Sequence, residues 1–211
     1  MDQYMNTRND LLAQKVIKGL ESRNMAGYYV QTKEEALKKA LELIPEGSSI
    51  GWGGSASIAE IGLKDAVCNG NYTVYNRDTC SPEEKRQTEL NIFGCDYFLC
   101  SSNAITEDGI LVNIDGNSNR VAAIAYGPQH VVMIVGINKI AKDEHAALLR
   151  ARYMAAPANA QRFPLDTPCK KTGSCANCLS KDTICCEFLI TRYSRHAGRF
   201  HIILVNDVLG Y

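Results

Sequence analysis

The stretch SIGWGGSASIAEIGL, residues 49–63, runs an apolar strand into a cluster of glycines and then into a helix-forming segment. Gly51, Gly53 and Gly54 let the backbone turn tightly and bring its amides close to a ligand. A helix beginning near Ser55 or Ala56 and ending at Gly70 adds unpaired N–H groups and a positive dipole end. Ser55 and Ser57 offer hydroxyls. Such a turn suits a carboxylate or phosphate, although the helix end contributes only about 0.3–2 kcal/mol. The stretch is neither Walker A nor a complete G-x-G-x-x-G. A plain strand-to-helix turn with Ser55 as N-cap explains the same residues, so both readings stay open.

The surrounding pattern repeats the alternation. An amphipathic helix is expected over 8–23, carried by Leu11, Leu12, Val16 and Leu20, then a strand at GYYV (27–30). A Thr32/Glu35 capping box opens a helix that Pro45 and Gly47 close. YTVYN (72–76) and DYFLCSS (96–102) read as strands, separated by a helix at 81–94 with Ser81 as N-cap and Pro82 in its first turn. AITEDGILVNID (104–115) reads as a hairpin around Asp108-Gly109. A short helix at 117–125 precedes HVVMIVG (130–136), an unbroken apolar run suited to the middle of a parallel sheet. A helix over 142–155, a loop over 156–168 and a final strand in RFHIILVND (199–207) complete the reading. The expected fold is α/β: a Rossmann-like, mainly parallel sheet with helices on both faces, formed by one domain over 1–211.

Composition narrows the function. Lys plus Arg and Asp plus Glu are 23 each among 211 residues, so no net field draws nucleic acid or an anionic membrane. HVVMIVGI is far too short to span a bilayer, and the first residues lack an apolar signal core. A cytoplasmic setting with reduced thiols is expected.

Polar residues crowd the 101–120 block: Asn103, Glu107, Asp108, Asp115, Asn119 and Arg120. Arg120 is a candidate for gripping a carboxylate or phosphate bidentately, with a structural salt bridge as the rival. Glu60 is a candidate general base or a surface partner of Lys64 at i,i+4. The four histidines have no ligand spacing, and no G-x-S-x-G elbow occurs.

Five of the nine cysteines fall in CKKTGSCANCLSKDTICC, residues 169–186. Cys175 and Cys178 form a metal-type knuckle; Cys169 with Cys185 or Cys186 would complete four thiolates. That spacing suits Zn²⁺ and an iron–sulfur cluster equally. Free thiols are the rival reading, and metal would supply order that a segment this poor in apolar residues lacks.

GWGGSASIAEIGL, the 101–140 block and AAPANAQRF…TPCKKTGSCANCLS, in that order, resemble the lactate-utilisation, or LUD-domain, family over roughly residues 8–191. The resemblance implies a fold similar to the sugar-phosphate isomerase and CoA-transferase group, with a crevice at the strand ends. It implies that Gly53, Gly54, Ser55 and Ser57 hold an anionic group of a small metabolite, with Asn103, Asn119 and Arg120 in the opposite wall. It further implies a link to L-lactate oxidation beside iron–sulfur partner subunits, which favours a cluster over zinc. No ferredoxin-like pair of cysteine runs is present, so an independent lactate oxidase is not expected. A homo-oligomer stays open. So do two alternatives: a free-standing isomerase or transferase on a phosphosugar or acyl-CoA, with Glu60 or Glu107 as acid/base, and a structural or regulatory subunit.

Overall fold

Strands that are apolar at every position must be covered on both faces, and that requirement shapes the chain. The computed structural model describes residues 2–211. Its strands are β1 (Ala26–Val30), β2 (Ser49–Trp52), β3 (Thr73–Tyr75), β4 (Tyr97–Cys100), β5 (Ala104–Thr106), β6 (Leu111–Asp115), β7 (His130–Gly136), β8 (Ile140–Ala141), β9 (Glu187–Thr191) and β10 (Phe200–Val205). Its α-helices are α1 (Gln3–Ser22), α2 (Lys33–Leu43), α3 (Ala56–Glu60), α4 (Leu63–Asn69), α5 (Lys85–Phe93), α6 (Asn119–Ala125), α7 (Glu144–Arg150), α8 (Ala156–Ala160) and α9 (Pro168–Thr172).

The main sheet is fully parallel, in the order β1-β10-β7-β4-β2-β3. The apolar run 130–136 lies in its middle, as expected. Val131, Met133 and Val135 face α1 (Ala13, Val16, Leu20) and α6 (Ala123, Ile124). Val132 and Ile134 face the opposite layer, built from Ala36 and Ala40 of α2, Ile58 of α3, and Leu63 and Val67 of α4. Each large apolar side chain so buried contributes roughly 1.5–3 kcal/mol.

A second sheet, in the order β8-β5-β6-β9, stands beside the first. It contains the expected hairpin, β5 antiparallel to β6, and extends it with β9. Its outer face packs Ala104, Val112 and Ile114 against Ala147 and Ala151.

Several elements differ from expectation, among them α5, which starts at Lys85 with Glu84 as N-cap instead of at Ser81 and Pro82. α1 starts at Gln3 because the Asp2 carboxylate accepts the Tyr4 and Met5 amides at 2.8 and 3.1 Å. The helix expected over 55–70 is two helices, broken where Gly62 adopts φ +73°. The segment after α7 continues as a π-turn over Ala151–Ala155 and then α8, so residues 156–160 are helical rather than loop. The wider turn comes just before Pro157, whose nitrogen has no hydrogen to continue the ladder. β9 follows directly on the cysteine segment, where no strand was expected.

Candidate functional site

Parallel α/β sheets bind ligands outside the carboxyl ends of their strands, where strand order reverses. Here the chain leaves β2 for β3 on one side, then crosses back to β4, β7 and β10 on the other. A cleft of about 300 Å³ opens at that reversal. Its floor takes Gly54 and Ser55 after β2, Ser101–Asn103 after β4, Lys139 after β7 and Gly210 after β10. Ile114–Asn117, Asn119 and Arg120 form one wall; Ala155, Asn159, Arg162, Phe163 and Ile184 form another. Gly54, Ser55, Asn103, Asn119 and Arg120, chosen from sequence, therefore meet in one place.

Several of them also hold the fold together. Arg120 is buried and its two terminal nitrogens are committed. Nη1 donates to Ser101 O and Asn113 Oδ1, and Nη2 to Asn103 Oδ1 and Ile114 O, at 2.6–3.1 Å. It therefore ties the hairpin to the β4 loop rather than offering a free fork. Gly53 serves the same knot: a Cβ there would stand 2.9 Å from Arg120 Cγ. Asn119 donates to Glu89 at 2.9 Å. Asp115 accepts the Arg120 and Val121 amides at 2.9 and 3.1 Å, so the start of α6 is already capped. Ser55 is the N-cap of α3, accepting Ile58 N at 3.4 Å. That helix has only five residues, too few to build a strong dipole.

The residue that sequence reading missed is Lys139. It is only 3 % exposed, and its Nζ donates to Ser57 Oγ at 3.0 Å and Ser101 Oγ at 2.9 Å. Ser57 thus holds the lysine in place. Burial first, then the Arg150 and Arg120 charges, push the Lys139 pKa down to about 7, with Glu60 opposing. A lysine three residues beyond a buried parallel strand, in GINKI, was the available signal.

The two glutamates lie apart from the cleft lining. Both Glu60 oxygens accept the Gly210 amide, at 3.2 and 3.1 Å. Lys64 pairs instead with Asp78 at 2.6 Å, and Asp78 also accepts Trp52 Nε1 at 2.9 Å. Burial would raise the Asp78 pKa, but those two donors outweigh it and lower the value. Glu107 sits between Lys15 and Lys142, whose hydrogen bonds lower its pKa. A base there would be outside the cleft.

A second cavity, of about 190 Å³, is lined by Cys169, Cys175, Cys178 and Cys185, together with Arg152, Ala156, Pro157, Ile184 and Phe188. Cys186 is exposed and outside that lining. Burial, then the neighbouring thiols, push Cys185 up to about 11. Among the described residues no three His, Cys, Asp or Glu side chains are grouped so that they could hold a metal ion.

The fold and cleft define an α/β protein with a ligand crevice at the strand ends of a Rossmann-like sheet. The chain matches the LUD domain over residues 13–205 and belongs to that family, which implies a role in lactate utilisation. A DUF162 family protein from Deinococcus radiodurans shares the fold, with TM-score 0.52 at 12 % identity, covering 93 % of this chain and 97 % of that one. No curated protein matches. No helix among the described residues is long and apolar enough to cross a membrane.

Proposed function

We propose that the cleft binds a small 2-hydroxy- or 2-oxo-carboxylate and that the protein assists L-lactate oxidation within a redox assembly. The observation that carries this reading is Lys139, a buried amine at the strand ends with serine partners and, among the described residues, no ion-paired carboxylate. An entering carboxylate supplies the missing counter-charge and draws Lys139 into its protonated form. Asn103 Oδ1 accepts from Ile114 N and Arg120 Nη2, and its amide nitrogen, with no hydrogen-bond partner among the described residues, would donate to a ligand oxygen. Arg162, at the exposed side of the lining, adds positive charge to the entrance.

The thiol-lined cavity beside the cleft is where the iron–sulfur group implied by the family resemblance would sit. When bound, it would supply one-electron chemistry; Cys169, Cys175, Cys178 and Cys185 would hold it. The free-standing isomerase or transferase alternative relies on Glu60 or Glu107 as acid/base, and neither is in the cleft lining. The two aspartates there, Asp78 and Asp115, are both held by donors.

The test is a melting-temperature screen with L-lactate, pyruvate, a phosphosugar and CoA. Lactate or pyruvate should raise the wild-type Tm and leave Lys139→Met unmoved. A shift with the phosphosugar or CoA alone, or none with any of the four, would refute the reading.

A further inference from the structure

We propose that the cleft takes a ligand with two anionic ends, a 2-oxo- or 2-hydroxy-dicarboxylate, one carboxylate against Lys139 on the floor and the other against Arg162 at the entrance. The inference rests on the reading of Lys139 given above and adds the second end.

Size and charge both ask for more than a three-carbon acid. At about 30 Å³ per water, a space of about 300 Å³ holds about ten waters. A three-carbon acid leaves much of that space to solvent, whereas a five-carbon dicarboxylate fills it. Four cationic side chains, Arg77, Arg120, Lys139 and Arg162, line the cleft with two carboxylates, Asp78 and Asp115. With Lys139 protonated, the lining has a surplus of two positive charges. The charges next to it leave that balance unchanged, since Lys64 pairs with Asp78 and Glu89 with Arg77. Arg150 and Glu60 also act on Lys139 with opposite signs. One carboxylate offsets half of the surplus. A phosphate in the second place would carry about −1.5 to −2 on its own and overshoot it. Two carboxylates match it.

Arg162 is the cation held ready for the second end. Its Nη1 donates to Asn159 Oδ1 at 3.2 Å, and the Phe163 ring centre lies 5.5 Å from its guanidinium carbon. These neighbours orient the group without neutralising it. Nε and Nη2 have no hydrogen-bond partner among the described residues, so part of the fork is open to a carboxylate. The other two guanidinium groups are engaged. Arg77 faces Glu89 at 3.6 Å, and Arg120 donates to Ser101, Asn103, Asn113 and Ile114. Lys139 is buried at the floor and Arg162 is exposed at the rim, so a ligand that engages both is charged at both ends.

The experiment is calorimetric titration of the full chain below pH 7 with pyruvate, 2-oxoglutarate and 2-oxohexanoate, whose far end is uncharged. Wild type and Arg162→Gln are compared. Wild type should bind 2-oxoglutarate about fivefold more tightly than either monoacid. Arg162→Gln should remove that advantage and leave pyruvate affinity unchanged. Equal affinity for 2-oxoglutarate and 2-oxohexanoate would overturn the second end. So would an advantage that survives in Arg162→Gln, or an equal loss for pyruvate and 2-oxoglutarate in that variant. In each of these cases pyruvate binding that is lost in Lys139→Met leaves the reading of the floor intact. Binding of none of the three acids would overturn both.

Discussion

Lys139 and Arg120 show how one charge type serves opposite ends. Arg120 spends four donors on protein acceptors and holds the cleft together. Arg120→Lys loses the planar fork and strands buried carbonyls, so urea unfolding should show a loss of roughly 2–4 kcal/mol. Lys139 is held by two hydroxyls, with a pKa near 7, well below its value in the unfolded chain, about 10.4. Between those values the unfolded chain binds more protons, so stability rises with pH from about 7 to 10 and is flat below 7. Lys139→Met should flatten that rise and gain about 0.5–2 kcal/mol, since buried site charges commonly cost stability. A variant with the wild-type pH profile would contradict the buried-amine account. Arg120 was legible from its place in a polar block; its role was not, because the block's text does not say which acceptors face it. Lys139 sits among apolar residues where periodicity treats a lysine as a break.

At the scale of elements, strand–turn–helix and hairpin signals were readable because glycines and Asp-Gly punctuate them. The glycine turn proved to be a packing device at Gly53 and an open edge at Gly54, where a Cβ meets nothing within 4 Å. Another close approach joins α1 to the hairpin: a Cβ on Gly19 would stand 2.3 Å from Asp108 C. Arg23 clamps the same turn through Asp108. In an open helix Gly→Ala would gain about 0.5–1 kcal/mol. Here overpacking, typically about 1–3 kcal/mol, should win, so Gly19→Ala should lower the melting temperature. A higher Tm would show that α1 can move off the hairpin. Spacing marks the cysteine segment as a cluster of thiols, four of which line one cavity. Cys185 and not Cys186 lines the cavity, just ahead of β9, a short apolar-centred strand that runs on directly from the cysteine segment and stays largely exposed.

For the whole molecule, the parallel sheet followed from unbroken apolar strands, and the family from its motifs. The second sheet and the cleft's far wall did not, because they assemble from segments as distant as β5 and β9. That assembly lays the strand-end cleft and the thiol cavity against one side chain, Ile184. The central claim is that a carboxylate binds against protonated Lys139. Calorimetric titration of pyruvate from pH 6 to 9 tests it most directly. Affinity should be greatest below pH 7, fall by about tenfold per unit once Lys139 deprotonates, and vanish in Lys139→Met. Binding that is independent of pH and survives in Lys139→Met would contradict the account.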